Sequence, residues 1–226
     1  MNAHRTTKCG EHGHPEFTIQ LRATAPIPNV ERILLDFFED AVARGTKFLP
    51  SQTVQLGWSR LRLKGRSDGT IGVEERELTP EVAWTESVDR ALVDVWLQKE
   101  IAASVGLLDA LAFPKQDEMM MAADCALGDE PILMVRIEAA ELPEGFSGWS
   151  LACAREHDHG QRHVVPLIAL AANSPGLVQL LALPHGTQVL VKHAPKGGML
   201  RIEPHVFRDG KEITPREGSY LAALQS

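Results

Sequence analysis

Two stretches of the chain gather the residue types that hold metals or activate nucleophiles. Near the N-terminus stand Cys9, His12 and His14, and the segment CAREHDHGQRH supplies Cys153, His157, His159 and His163. A soft thiolate among imidazoles is a zinc donor set, and a thiol beside an imidazole is the pairing of a cysteine nucleophile. The spacing favours neither. No partner pair stands at zinc-finger distance, and Cys153 closes a predicted strand while the three histidines fall in a polar loop. A reactive thiolate also needs a cationic neighbour or a helix N-terminus, which the local sequence does not specify. The preferred reading makes His157 and His159 polar loop residues on either side of Asp158, with no metal and no cofactor. A metal-dependent enzyme or zinc-binding factor built on Cys153, His157, His159 and His163 is the alternative.

Other catalytic signatures are missing. No G-x-S-x-G elbow occurs; Gly57-Trp58-Ser59 and Gly148-Trp149-Ser150 both lie in strand-like sequence, where a serine beside a tryptophan is a packing position. Lys196-Gly197-Gly198 reads as a turn without the spacing of a phosphate loop. The adjacent carboxylates Glu74-Glu75 and Asp129-Glu130 read as solvated charges, and Met119-Met120-Met121 as core filling at the start of a strand. A non-enzyme is expected. What remains are polar segments rich in turn formers that interrupt the strands of the second half, loops suited to gripping a protein partner from a firm sheet and equally what a protein with no partner carries. Glu141, Glu144, Glu156 and Asp158 cluster around Trp149 in the sequence.

The composition is that of an ordinary globular protein. The chain has 226 residues, 44% of them hydrophobic, which is enough for one core or two modest ones. A net charge of −7 with neither half basic argues against nucleic acid as a partner. No apolar run reaches the roughly 18 residues of a membrane span, and the polar N-terminus lacks a signal-peptide core, so no membrane partner and a cytoplasmic location are expected. Three scattered cysteines make no disulfide framework. Nothing in the sequence indicates an oligomeric state.

Residues 1–14 show no apolar periodicity and read as a flexible leader. Phe17, Ile19 and Leu21 alternate as a strand, ended by Pro26 and Pro28. Asn29 is placed as the N-cap of a helix whose buried face is Val30, Ile33, Leu34, Phe37, Phe38 and Ala41, with Gly45 as C-cap. Thr53 to Leu63 reads as one strand with a bulge near Gly57 or Ser59, followed by an Asp68-Gly69 hairpin turn and a return strand. Thr85 opens the longest helix, with a stripe of Val88, Leu92, Val95, Trp96, Lys99 and Ala103. Pro114 to Glu118 marks a boundary between sub-domains 15–113 and 114–226. Beyond it come strands in MMMAADCAL, PILMVRIEA and GWSLACAR, separated by Gly128-Asp129-Glu130 and by AELPEGFSG. Two short helices broken at Ser174-Pro175 follow, then two closing strands joined at Lys196-Gly197-Gly198. The expected fold is α+β: antiparallel sheets with a few amphipathic helices, in two strand-and-helix sub-domains.

Within the second sub-domain, Trp149, Leu167, Leu170, Pro175, Leu180, Leu181, Leu183, Pro184, Gly186 and Val189 form a pattern. It is a tryptophan-bearing strand, a polar loop, a short helix, a proline, a leucine-rich turn and a closing strand. Over Ile132 to Val191 this resembles the thirty-third immunity-protein family of bacterial polymorphic toxin systems. The approach to the tryptophan departs from the acidic one common in that family, since Glu144-Gly145-Phe146-Ser147-Gly148 stands in its place. The resemblance implies a cytoplasmic antidote that binds and neutralises a cognate toxin protein in interbacterial competition, with Glu141, Glu144, Glu156 and Asp158 around Trp149 as the candidate partner-binding residues. An effector adaptor of a secretion system is the further alternative, separated by whether the chain rescues growth.

Overall fold

The computed structural model describes residues 1–22, 27–79, 81–127, 131–196 and 199–226. Pro26, the turn at Gly128-Asp129-Glu130 and Gly197-Gly198 of the last predicted turn lie outside the described residues. The chain divides into two compact units, Met1–Trp96 and Leu97–Ser226. The division falls inside a helix, upstream of the boundary read from Pro114.

In the first unit a six-stranded sheet carries β1 (Asn2–Arg5), β2 (Phe17–Leu21), β3 (Thr53–Leu56), β4 (Ser59–Gly65), β5 (Ile71–Arg76) and β6 (Trp84–Thr85). Their order is β1-β2-β5-β4-β3, with β6 on β5, and β2 runs parallel to β5. Helix α1 (Arg32–Ala43) buries Leu34, Leu35, Phe38, Ala41 and Val42. Phe38 stacks on Phe17 with ring centroids 3.9 Å apart, and Phe48 meets both edge-on. Asn29 does not cap this helix through its side chain. It sits at φ +57°, and its carbonyl accepts from the Arg32 N–H at 3.0 Å. The segment Thr53 to Leu63 is two strands: Gly57, at φ +58°, lets the chain reverse between Leu56 and Ser59, which pair directly.

The first fourteen residues are ordered, contrary to the flexible leader expected. β1 pairs antiparallel with β2, Asn2 opposite Leu21 and Arg5 opposite Thr18. Cys9 is fully buried, and the Phe48 N–H donates to His14 Nε2 at 3.0 Å. An edge strand is held by backbone hydrogen bonds and needs no apolar stripe, so periodicity gives no sign of it.

Helix α2 (Asp89–Ser104) holds the division between the units. Lys99, placed on its apolar stripe by the sequence, is exposed, and Gln98 takes the buried position and donates to the Val178 carbonyl at 3.0 Å. In the second unit follow β7 (Met119–Ala123), β8 (Ile132–Arg136), β9 (Phe146–Cys153), β10 (Arg162–Pro166), α3 (Leu167–Asn173), β11 (Thr187–Lys196), β12 (Met199–Arg208), β13 (Lys211–Glu212) and α4 (Tyr220–Leu224). The seven strands run in the order β10-β7-β9-β8-β11-β12-β13, and β7 and β9 are parallel neighbours. The fold is α+β with two mixed sheets, each carrying one parallel pairing where antiparallel sheets were expected. As predicted, a break at Ser174 separates α3 from a 3-10 turn at Pro175–Leu180.

Candidate functional site

The period-2 geometry of β9 sends alternate side chains to opposite faces of the second sheet. Trp149, Leu151 and Cys153 are buried, while Ser150 and Ala152 are half-buried on the other face. β8 repeats the pattern, with Ile132, Met134 and Arg136 buried and Leu133 and Val135 half-buried.

Arg136 fixes the buried face to the segment after α3. Its guanidinium donates to the carbonyls of Ala112 (2.6 Å), Leu181 (3.2 Å), Leu183 (2.6 Å) and Ser147 (3.1 Å). Burial lowers its pKa to about 10, against the pull of Glu118, so it stays charged at neutral pH. Trp149 Nε1 donates to the same Leu181 carbonyl at 2.9 Å and lies beside the guanidinium. The leucine-rich turn therefore works through its backbone: its carbonyls hold an arginine and a tryptophan, and Gly186, at φ +80°, donates its N–H to the Arg136 carbonyl. Nothing in the sequence pattern singled out Arg136; an arginine ending an apolar strand is the signal that was available.

The opposite face is open. A cleft of about 660 Å³ lies over it, lined by Met121, Leu133, Val135, Ile137, Leu142, Phe146, Ala152 and Val164, with Ser150, His159 and Arg162 as polar members. Val164 is 55% exposed and Ile137 39%, which is unusual for residues gathered on one apolar surface. The three methionines are split by the strand period: Met120 is core, Met121 lines the cleft and Met119 is exposed.

The four candidate acids are all exposed. They do not form one patch. Glu141 and Glu144 precede β9 and stand by Leu142 and Pro143 at one end of the cleft, whereas Glu156 and Asp158 follow β9. The eight-residue strand between them spans roughly 23 Å at about 3.3 Å per residue. Asp158 Oδ1 accepts from the Gly160 N–H at 3.0 Å, a turn-forming contact.

The histidine-rich loop is organised differently from the expected set. His163 leaves it: on β10, its Nε2 meets Asp124 Oδ1 at 2.7 Å. Cys125 enters instead, from the 3-10 turn at Asp124–Leu127 that follows β7. The donor atoms of Cys125, Cys153, His157 and His159 all lie within 4.8 Å of one another. The leader's Cys9, His12 and His14 form no such group among the described residues. Cys125 was missed because it becomes a neighbour of Cys153 only once β7 and β9 pair.

The first unit carries buried carboxylates of its own. Glu75 accepts from the Ala91 N–H at 2.8 Å and Asp94 from Trp58 Nε1 at 2.9 Å. The adjacent Glu74, read as solvated, is also buried and bonds Arg62 Nε at 2.8 Å and Lys64 at 3.0 Å.

No helix among the described residues is long and apolar enough to cross a membrane. Residues 97–198 match the Imm33-like domain family, a span that contains Arg136, Trp149, the open cleft and the Cys/His group. No curated protein and no solved structure matches the chain.

Proposed function

We propose, from the match of residues 97–198 to the Imm33-like domain family, that the chain is an immunity protein that acts in the cytoplasm by binding and neutralising a cognate antibacterial toxin. The observation that carries the assignment of its working surface is the open sheet face within that domain. A partly exposed apolar floor is lined by Leu142 and Pro143, which stand between Glu141 and Glu144 in the chain, and by His159, which follows Asp158; these exposed acids, with Glu156, are taken as its rim. This is the layout of a protein interface, with an apolar centre that loses water on docking and a charged rim that steers the encounter. The buried face cannot serve, because Arg136 and Trp149 already occupy it. Inhibition follows from covering the toxin's own cleft, and no bond-making step is asked of the chain.

The test is co-expression with a cognate toxin domain. The wild-type chain restores growth. Reversing all four acids to lysine weakens protection and slows association, with the loss greatest at low salt. Unchanged protection and unchanged association across salt would remove the acids from the interface. Binding without growth rescue would mark an adaptor and overturn the immunity reading.

A further inference from the structure

We propose that Cys125, Cys153, His157 and His159 form a closed, tetrahedral zinc site that ties the β9–β10 loop to one end of the second sheet. Parallel pairing of β7 with β9 brings the C-terminal ends of both strands to the same end of the sheet. Cys125 follows β7 and Cys153 ends β9, so two thiols 28 residues apart face one another. The loop then turns back and delivers two imidazoles to them. Cys153 Sγ lies 2.9 Å from His157 Nε2 and 3.8 Å from His159 Nδ1, and Cys125 Sγ lies 3.3 Å from His159 Nδ1. A tetrahedron with ordinary Zn–S and Zn–N bonds has edges of roughly 3.3–3.8 Å between donors; with all four donor atoms within 4.8 Å of one another, shifts of up to about 1 Å, within the reach of side-chain rotation, close them around an ion.

The surroundings fit the same reading. The Cys153 backbone N–H points at Cys125 Sγ at 3.4 Å, a contact that stabilises sulfur as thiolate. His157 is an exposed residue, yet its ring nitrogen is turned toward the buried Cys153 rather than to water. Two thiolates with two imidazoles select zinc over harder cations, and four protein donors leave no position for a reacting water, so the site is structural. On binding, Zn²⁺ replaces the two thiol protons, which pass to solvent. The ion would fix the loop that carries Glu156 and Asp158 and would hold His159 at the wall of the open cleft.

The experiment uses the full chain, purified without a histidine tag. Elemental analysis is expected to find one zinc per chain. Cobalt added to the stripped protein is expected to give the visible bands of a tetrahedral site with a near-ultraviolet thiolate band. Cys125→Ser and His157→Ala, both at positions that are not buried, lose the metal and the cobalt bands, whereas His163→Ala and His12→Ala keep them. A wild-type chain that takes up neither metal overturns the proposal. So does zinc retained by Cys125→Ser, or an intact mass showing Cys125 and Cys153 joined as a disulfide. Metal content is read without a toxin, so this result and the immunity reading fail or stand separately.

Discussion

Glu75 and Asp94 in the Met1–Trp96 unit and Arg136 in the Leu97–Ser226 unit are all buried charged groups, but the two units solve the burial differently. Burial pushes Glu75 up to about 7, against Arg90 and the Ala91 N–H, and pushes Asp94 up to about 6, against the Trp58 indole N–H. Each acid has few donors and can shed its charge by taking a proton. Arg136 has no such escape near neutral pH and is instead surrounded by four carbonyls. The acids thus make the first unit sensitive to pH, while the arginine is a fixed rivet in the second. With its core held this way, the second sheet can leave its other face open.

The strongest way to break this contrast is Arg136→Met. It takes the guanidinium from the carbonyls of Ala112, Ser147, Leu181 and Leu183, of which Leu181 keeps Trp149 Nε1, and by the cost of under-paired buried groups the chain should lose on the order of 4 kcal/mol of stability. Arg136→Lys should recover only part, because an ammonium cannot reproduce the planar fork. Denaturant titration measures both. A loss under about 1 kcal/mol would mean that the segment after α3 is held by something other than the guanidinium.

The pH dependence sharpens the other side. Glu75 and Asp94 have folded pKa values above their ordinary ones. As pH rises from about 4, the folded chain therefore holds protons that the unfolded chain has given up. Their contribution is greatest in mild acid and is lost as pH climbs through about 6 to 7. A fall on the order of 4 kcal/mol between pH 5 and pH 8 is expected from these groups by linkage. Glu75→Gln with Asp94→Asn should flatten it, as thermal midpoints across that range will show. A profile unchanged by the double substitution would remove these acids as the cause.

The two units also differ in how far their sequence revealed them. Helix α1 and strands β2, β8, β9, β11 and β12 were legible because apolar spacing reports a buried face directly. The N-terminal edge strand was not, since its stabilising bonds are made by backbone. β10 was missed for a related reason: Arg162, His163 and Val164 are all exposed and give no alternation. The Gly57 reversal looked like a bulge because both conformations call for glycine in the same place.

At the site, the acidic loop residues and three of the four zinc donors were visible by residue type. Their grouping was not, because it depends on strand order. Cys125 and Cys153 are brought together by the β7–β9 pairing, and His163 is carried off by β10. The cleft could not be seen at all, since the same half-buried Leu133 and Val135 would read as core in a sheet covered on both faces.

The claim that the open face of the second sheet is the working surface is tested most directly by titrating Val164→Asp against the cognate toxin. Val164 is more than half exposed, so the substitution should leave stability within about 0.5 kcal/mol. Toxin affinity should fall by roughly 30-fold, the loss of about 2 kcal/mol typical of a central interface contact. Full affinity in a stably folded Val164→Asp chain would place the toxin elsewhere and contradict the account.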